Sequence, residues 1–420
     1  MSNVKPSRLA TVAEAQDIIL RTVPVLPPVE YPLSEALGMV LAEEVTADLD
    51  LPAFDCSAMD GYAVRAADLA RVPVVLRILE QITAGMTPTR RVEPGTCSGI
   101  TTGAMVPEGA DAVVMVEQTE RVGEDRVRFL SPVGKTNIRK QGEEVRAGGV
   151  VLSAGTVIRP AEVGLLASVG RVCVEVVRRP RVAVLATGDE LVDPGQRPAP
   201  GQVRNSNGPT LLALCARGGF EAVSLGVARD RLDELEAGVR AGLEHDVLLV
   251  SAGVSVGAFD LVPRAFAAVG AKRRLHGIRV KPGKPVAFYT AGRRVIFGVP
   301  GKPVSTIVSF GLFVLPALRR MAGYTECLPE LVPAVMRKEF RRKAGGPSTS
   351  LGAALSKSKG GQQYEPARLQ RVDDHYEVEA LPTHGSADLV ALCRANALLV
   401  APADQEQLQP GALVDVVRIV

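Results

Sequence analysis

Two short apolar runs, each broken by a glycine-containing loop, constrain this chain most. Val182-Ala183-Val184-Leu185-Ala186 breaks into Thr187-Gly188-Asp189-Glu190-Leu191, and Val247-Leu248-Leu249-Val250 breaks into Ser251-Ala252-Gly253-Val254-Ser255-Val256-Gly257. Uninterrupted β-branched and leucine runs of this length are the pattern of parallel strands buried on both faces. In open α/β sheets, ligands bind outside the carboxyl ends of such strands. The two loops are therefore expected to wall one site, one side acidic and the other rich in small residues and backbone amides.

Between Arg181 and Gly323 strands and helices alternate. Strands are expected at Val182–Ala186, Glu221–Leu225, Val247–Val250, Val286–Tyr289 and Val295–Val299. Helices are expected at Pro209–Arg217, Arg231–Leu243, Leu261–Val269 and Val304–Arg320. That alternation predicts a three-layer α/β domain. At 420 residues the chain exceeds one core, and length alone predicts roughly three domains. Before the α/β region, Thr11 and Glu14 form a capping box ahead of a helix, and Pro24, Pro27, Pro28 and Pro32 extend the chain. A short helix follows at Leu33–Leu37 and a strand at Val40–Val45. Short runs such as Val74–Leu79, Asp111–Val116 and Arg126–Leu130 predict a β-rich domain. Asn137–Pro160 is turn-rich, and with the helix Ala161–Val169 and strand Val172–Val177 it is expected to return beside the N-terminal helix and strand. Beyond Glu326, five strand-like runs predict a small β-barrel or sandwich, and Gly345–Gly361 approaches low complexity.

Composition excludes several classes. A net charge of +3, no tryptophan and 4% aromatics argue against nucleic acid, which needs a basic face or stacking platforms. Met1–Ala10 lacks a signal-peptide core, and the apolar stretch Val304–Leu318 is too short to span a bilayer and reads as a buried helix. Six cysteines without a CxxC pair point to free thiols and no zinc site, so the chain is expected in the cytosol. The four histidines read as structural or surface residues.

Glu190, Asp230 and Asp260 each follow an expected strand or its loop. Oxygen ligands gathered at one sheet edge suit Mg²⁺. Taken singly, Asp230 and Asp260 fit helix capping better, each standing before an expected helix. Ser251–Gly257 offers backbone amides to an anion. It also spells the G-x-S-x-G of a nucleophile elbow, a serine hydrolase alternative using Ser255, with Asp260 or Asp388 and His276, His375 or His384 as partners. No HGGG-type stretch precedes it. Lys281-Pro282-Gly283-Lys284-Pro285 fixes two lysines as point charges for an oxyanion, and Pro300-Gly301-Lys302-Pro303-Val304-Ser305 ends a strand and opens a helix. The loop Pro52–Val64 holds Asp55 and Asp60 among small residues, and is either an Asx turn or a binding loop.

Together these motifs resemble the MoeA family of molybdopterin molybdenumtransferases, related to the E domain of gephyrin. The resemblance rests on Ser57–Ala63, Thr102-Gly103-Ala104 with Pro107–Val114, Thr187–Leu191, Asn205-Ser206-Asn207, Gly253–Gly257 with Asp260, Lys281–Pro285, and Pro300-Gly301 with Pro303–Ser305. It implies a multidomain α/β plus β architecture: a linking domain from 1–50 and 138–178, a β-rich domain over 51–137, a three-layer (MogA/MoaB-like) α/β domain over 179–325 and a β-barrel over 326–420. It implies insertion of molybdate into adenylylated molybdopterin with release of AMP, assisted by Mg²⁺, in a homodimer whose site is shared between subunits. Transient partners would be the molybdopterin adenylyltransferase and molybdoenzymes or their chaperones, with neither nucleic acid nor membrane. By the same resemblance Asp60, Glu190, Asp230 and Asp260 are the catalytic carboxylates, the last three holding metal. Thr102, Ser251, Gly253, Ser255, Gly257, Lys281, Lys284, Pro300, Gly301 and Ser305 would bind substrate. A non-catalytic carrier or scaffold is the remaining alternative. The chain departs from the family pattern at Ala252 for glycine, Lys302 for asparagine, Gly277 for a basic residue (with Arg279 or His276 nearby) and Arg231 for an acid.

Overall fold

The structure, a computed structural model, describes residues 9–251, 261–342 and 361–419. The chain forms two compact units. The smaller comprises Glu30–Leu37 with Leu41–Glu175, and the larger holds the rest.

The smaller unit carries a six-stranded sheet, in spatial order Ala112–Met115, Gly61–Val64, Thr96–Ile100, Val74–Ile82, Arg126–Phe129 and Thr119–Val122. Tyr62, Leu76, Val114, Val127 and Phe129 bury its apolar face. The segment after Ile138 does return: Leu51 pairs with Val145, Val45–Thr46 with Val150–Leu152, and the Leu41 amide donates to the Thr156 carbonyl. The expected strand over Val40–Val45 shrinks to Val45–Thr46. The helix Val12–Thr22 belongs to the larger unit instead, with its capping box formed between Thr11 and Glu14.

In the larger unit a six-stranded sheet runs Ala222–Ala228, Val182–Thr187, Val247–Ser251, Arg294–Val299, Ala287–Ala291 and Lys272–His276. The first four are mutually parallel; Ala287–Ala291 is antiparallel to both neighbours. Every residue of Val182–Thr187 and Val247–Ser251 is buried, as layers of helices on both faces require. Leu185, Leu235, Val250, Phe266 and Tyr289 share one core, with the Phe266 and Tyr289 rings edge-on at 4.9 Å. The strand Lys272–His276 is not among the strands expected from sequence; its first three residues are exposed cations, which leave no apolar alternation.

The helix over Pro303–Met321 is longer than the apolar stretch from which it was expected. By length and composition its 19 residues could cross a bilayer, but 72% of its most apolar window is buried inside the protein, which makes it a core helix. Its middle, Phe310–Val314, is a π turn just before Pro316. Pro316 has no N–H to offer the Leu312 carbonyl four residues earlier, and Gln16 Nε2 of the first helix donates to that carbonyl at 3.1 Å. Gln16→Ala is expected to cost about 1–2 kcal/mol by leaving the carbonyl unpaired. Urea unfolding of the variant reads this directly, and an unchanged midpoint would assign the carbonyl to water.

The C-terminal region closes into a five-stranded barrel. Gln362–Val372, His375–Ala380, Leu331–Met336, Leu413–Arg418 and Ala397–Ala401 pair in that order, and Ala397–Ala401 returns to Gln362–Val372. Closure leaves no free barrel edge. Met336, Leu369, Val378, Leu399 and Val416 fill the interior.

Candidate active site: the carboxyl edge of the sheet

Strand register gathers the loops. Ala186 lies beside Ser251, Ser251 beside Val299, and Thr187 beside Ala228, so four parallel strands end at one edge. The antiparallel pair joins them there, since His276 faces Ala287 and Ala287 faces Gly298. The loops after 187, 228, 251, 276 and 299 therefore open on the same side.

The acidic side is cross-tied. Asp189 Oδ1 accepts the Asp230 amide at 3.1 Å, and Arg229 Nη1 donates to the Asp189 and Leu191 carbonyls at 3.0 and 3.1 Å. This brings Glu190 and Asp230 onto adjoining loops, both exposed. The Glu190 carboxylate folds back over Gly188, whose φ is +143° and where a Cβ would come within 2.3 Å of Oε2. Asp230 does not cap the next helix: the N-cap of Leu232–Gly242 is Arg231, with no side-chain cap bond. Among the described residues neither the Glu190 nor the Asp230 carboxylate accepts a hydrogen bond, and no three potential metal-binding side chains cluster. Gly253, Ser255, Gly257 and Asp260 lie outside the described residues.

The basic side is a cavity of about 660 Å³. It brings together Lys281, Lys284, Pro300, Gly301 and Ser305, five positions expected from sequence, and adds Lys302. Its far wall comes from the barrel, through Tyr364–Pro366 and Thr383–Ala387. The lysine loop is held there by β pairing of Val280 and Lys281 with Gln362 and Gln363. The Ser386 carbonyl accepts the Val304 amide at 3.0 Å, anchoring the start of the long helix to the barrel. His384 is exposed, in keeping with a surface histidine, and also lines the cavity. Local pattern gave little sign of this wall; Thr383-His384-Gly385 reads as a turn, which it also is, the Gly385 amide bonding Thr383 Oγ1 at 3.0 Å.

Ser251 is buried at 1% exposure, and its Oγ accepts from Asn207 Nδ2 at 2.9 Å. The same Nδ2 donates to the Gly301 carbonyl at 2.8 Å. Asn207, seen in sequence only as part of a motif, thus ties the central strand to the Pro300 loop. Asp388 bonds the His384 amide through one carboxylate oxygen and caps the helix Leu389–Arg394 through the other. Those amides hold its carboxyl below the ordinary aspartate value. Both oxygens are committed to backbone, so Asp388 does not orient a histidine as a hydrolase triad would require.

The smaller unit presents a separate polar cluster. The turn at Thr101–Ala104 is fixed by the Ser57 carbonyl, which accepts the Gly103 amide at 2.8 Å, with Gly103 at φ +79°. Thr102 then donates to Asp60 Oδ1 twice, from its backbone amide at 2.6 Å and its hydroxyl at 2.9 Å. These two bonds, the amide first, lower the Asp60 pKa. Asp55, its look-alike in sequence, is instead a structural anion paired with Lys140 Nζ at 2.7 Å and the Gln141 amide at 2.8 Å.

The fold and these loops define an α/β protein with a lysine-lined cavity at its sheet edge, walled by a C-terminal barrel. Residues 10–170 match the MoeA N-terminal region (domain I and II), 183–320 a probable molybdopterin binding domain, and 349–419 the MoeA C-terminal region (domain IV). A molybdopterin molybdenumtransferase of Staphylococcus aureus (strain Mu50) is 32% identical over 415 residues, covering 97% of this chain and 94% of the relative. One from Staphylococcus epidermidis (strain RP62A) is 32% identical over 390 residues, covering 92% and 90%. The crystal structure of the molybdopterin biosynthesis MoeA protein from Pyrococcus horikoshii OT3 superposes with a TM-score of 0.79 at 29% identity, covering 98% of this chain and all of that one. The chain belongs to the MoeA family of molybdopterin molybdenumtransferases. With that family established, the hydrolase and scaffold alternatives have no support.

Proposed function

We propose that the protein inserts molybdate into adenylylated molybdopterin and releases AMP, at the sheet edge just described. The observation that carries this is the cavity in which Lys281, Lys284, Pro300, Gly301 and Ser305 converge, at the same sheet edge on which the loops of Glu190 and Asp230 open. The lysines act as fixed positive charges for the oxyanion and the ligand's phosphates. A water oxygen bonds to the pterin's phosphorus and gives up its proton to solvent as the P–O bond to AMP breaks and AMP leaves with the negative charge, while the pterin's two dithiolene sulfurs bond molybdenum and one molybdate oxygen departs as water with their two protons. Cations already in place stabilise that charge without reorganising. Asp60, oriented by Thr102, is a further polar contact for the substrate.

Exposed carboxylates that accept no hydrogen bond among the described residues are hard oxygen donors, and those of Glu190 and Asp230 fit a Mg²⁺ ion, with Asp260 as a third ligand. When bound, that ion would neutralise phosphate charge. We also propose a homodimer in the cytosol, with the Asp60–Thr102 cluster of one subunit serving the sheet edge of the other. The molybdopterin adenylyltransferase would supply substrate, and molybdoenzymes or their chaperones would take the product. On this reading the chain has four domains, at 1–50 with 138–178, 51–137, 179–325 and 326–420.

The test is AMP release from adenylylated molybdopterin by the purified protein, with molybdate and Mg²⁺ each present or omitted. Release requiring both is expected, and Asp260→Asn should abolish it while the dimer persists on a sizing column. Turnover unchanged in that variant would remove Asp260 from the mechanism; binding without release in the parent protein would overturn the proposed reaction.

A further inference from the structure

Lys302 stands where helix physics disfavours it. It is the N-cap of the 19-residue helix Pro303–Met321, its carbonyl accepting the Thr306 amide at 3.0 Å, yet its side chain makes no cap bond. Asparagine, aspartate and serine satisfy an orphan amide at this position and lysine cannot. A cation at the N-terminus also faces the positive end of the helix dipole. Nor does Lys302 recover this cost elsewhere: among the described residues neither it nor Lys284 forms an ion pair, and both are exposed.

What Lys302 does have is a place on the wall of the 660 Å³ cavity, with Lys281 and Lys284. Glu365 is the one acidic residue on that wall among the described residues, and its carboxylate already accepts from Gln363 Nε2. Lys302, with no ion pair among the described residues, thus adds one further positive charge to the wall that the two loop lysines would not provide.

We infer that Lys302 is a specificity-determining residue of this cavity, which selects doubly charged tetrahedral oxyanions over singly charged ones of the same shape. The inference rests on reading the cavity as the oxyanion site of the proposed reaction. Its physical basis is that Coulomb attraction scales with the ligand's charge, so a third cation favours a dianion by twice as many kilocalories as a monoanion. If Lys302 contributes about threefold to the affinity of a monoanion, it contributes about tenfold to that of a dianion, and salt weakens both.

Lys302→Asn separates this role from folding, because asparagine is a better N-cap. The melting temperature should rise by about 1–3 °C. Tungstate, a dianion, and perrhenate, a monoanion of like geometry, are titrated calorimetrically into the full-length protein and the variant at low ionic strength. The expected result is tungstate binding about tenfold weaker and perrhenate about threefold weaker in the variant. Equal weakening of the two, or none, overturns the inference, as does a parent protein that binds neither anion. Failure of the proposed reaction looks different: tungstate would bind with the charge dependence described while AMP was never released.

Discussion

Asp246→Ala is expected to destabilise the larger unit by about 2–3 kcal/mol, the largest stability effect of any single side chain considered. Asp246 is 2% exposed and sits at the amino edge of the sheet, opposite the active-site loops. Its carboxylate receives Arg178 Nη1 and Nη2 at 2.8 and 2.9 Å and the Arg181 amide at 2.9 Å, with Arg294 Nη1 at 3.5 Å. Its carbonyl accepts the Val295 amide at 3.1 Å, and its own amide donates to the Arg181 carbonyl at 3.0 Å. One residue thus joins the starts of three central strands. Removing it strands a partly buried guanidinium and an amide, and the remaining exposure of Arg178 keeps the cost below that of a fully buried pair. Burial pushes the Asp246 carboxyl up, but the Arg178 and Arg181 bonds outweigh burial and leave it below the ordinary aspartate value. A lowered folded-state pKa means that the contribution is present above the unfolded value, near pH 4, and is lost as pH falls through the folded value. Chemical denaturation of parent and variant should therefore differ at pH 7 and converge in strong acid. A gap independent of pH would assign the effect to packing alone.

Asp60→Asn is expected to have the opposite profile, with AMP release about 10²–10³-fold slower and stability unchanged. The asparagine oxygen can still accept from the Thr102 amide and hydroxyl, so the turn should persist while the charge is lost. Asp60 is fully exposed, which is why little stability is at stake. Normal turnover in the variant would reduce the cluster to turn chemistry, and a large fall in melting temperature would show the carboxylate to be structural.

Why the two aspartates of one loop differ was not legible locally. Asp55 and Asp60 both stand among small residues, and what separates them is Lys140, 85 positions from Asp55, against Thr102, 42 positions from Asp60. The same limit applied at the cavity. Lys281, Lys284, Pro300, Gly301 and Ser305 could be picked out because glycine and proline mark strand ends and helix starts. Thr383–Ala387 could not, because its position depends on a barrel closing between Gln362–Val372 and Ala397–Ala401. The buried parallel strands were the plainest feature, since two covered faces leave no polar alternation. Lys272–His276 was hidden for the converse reason: as the outermost strand it exposes its three cations and loses the apolar pattern, a common protection for a sheet edge. The helix at 303–321 was legible almost to its ends, and Gly311 and Pro316, which interrupt its apolar run, are absorbed by a π turn and a bond from Gln16.

The pairing of Val280–Lys281 with Gln362–Gln363 also has a bearing on the order in which the chain is made. Synthesis proceeds from the amino terminus, and domains begin to fold as they emerge. The sheet edge, with both lysine loops, is complete by Ser305, whereas the facing wall at Thr383–Ala387 follows some eighty residues later. A growing chain therefore carries the charges of the pocket before it has the pocket, which is enclosed only after the barrel strands have left the ribosome and closed.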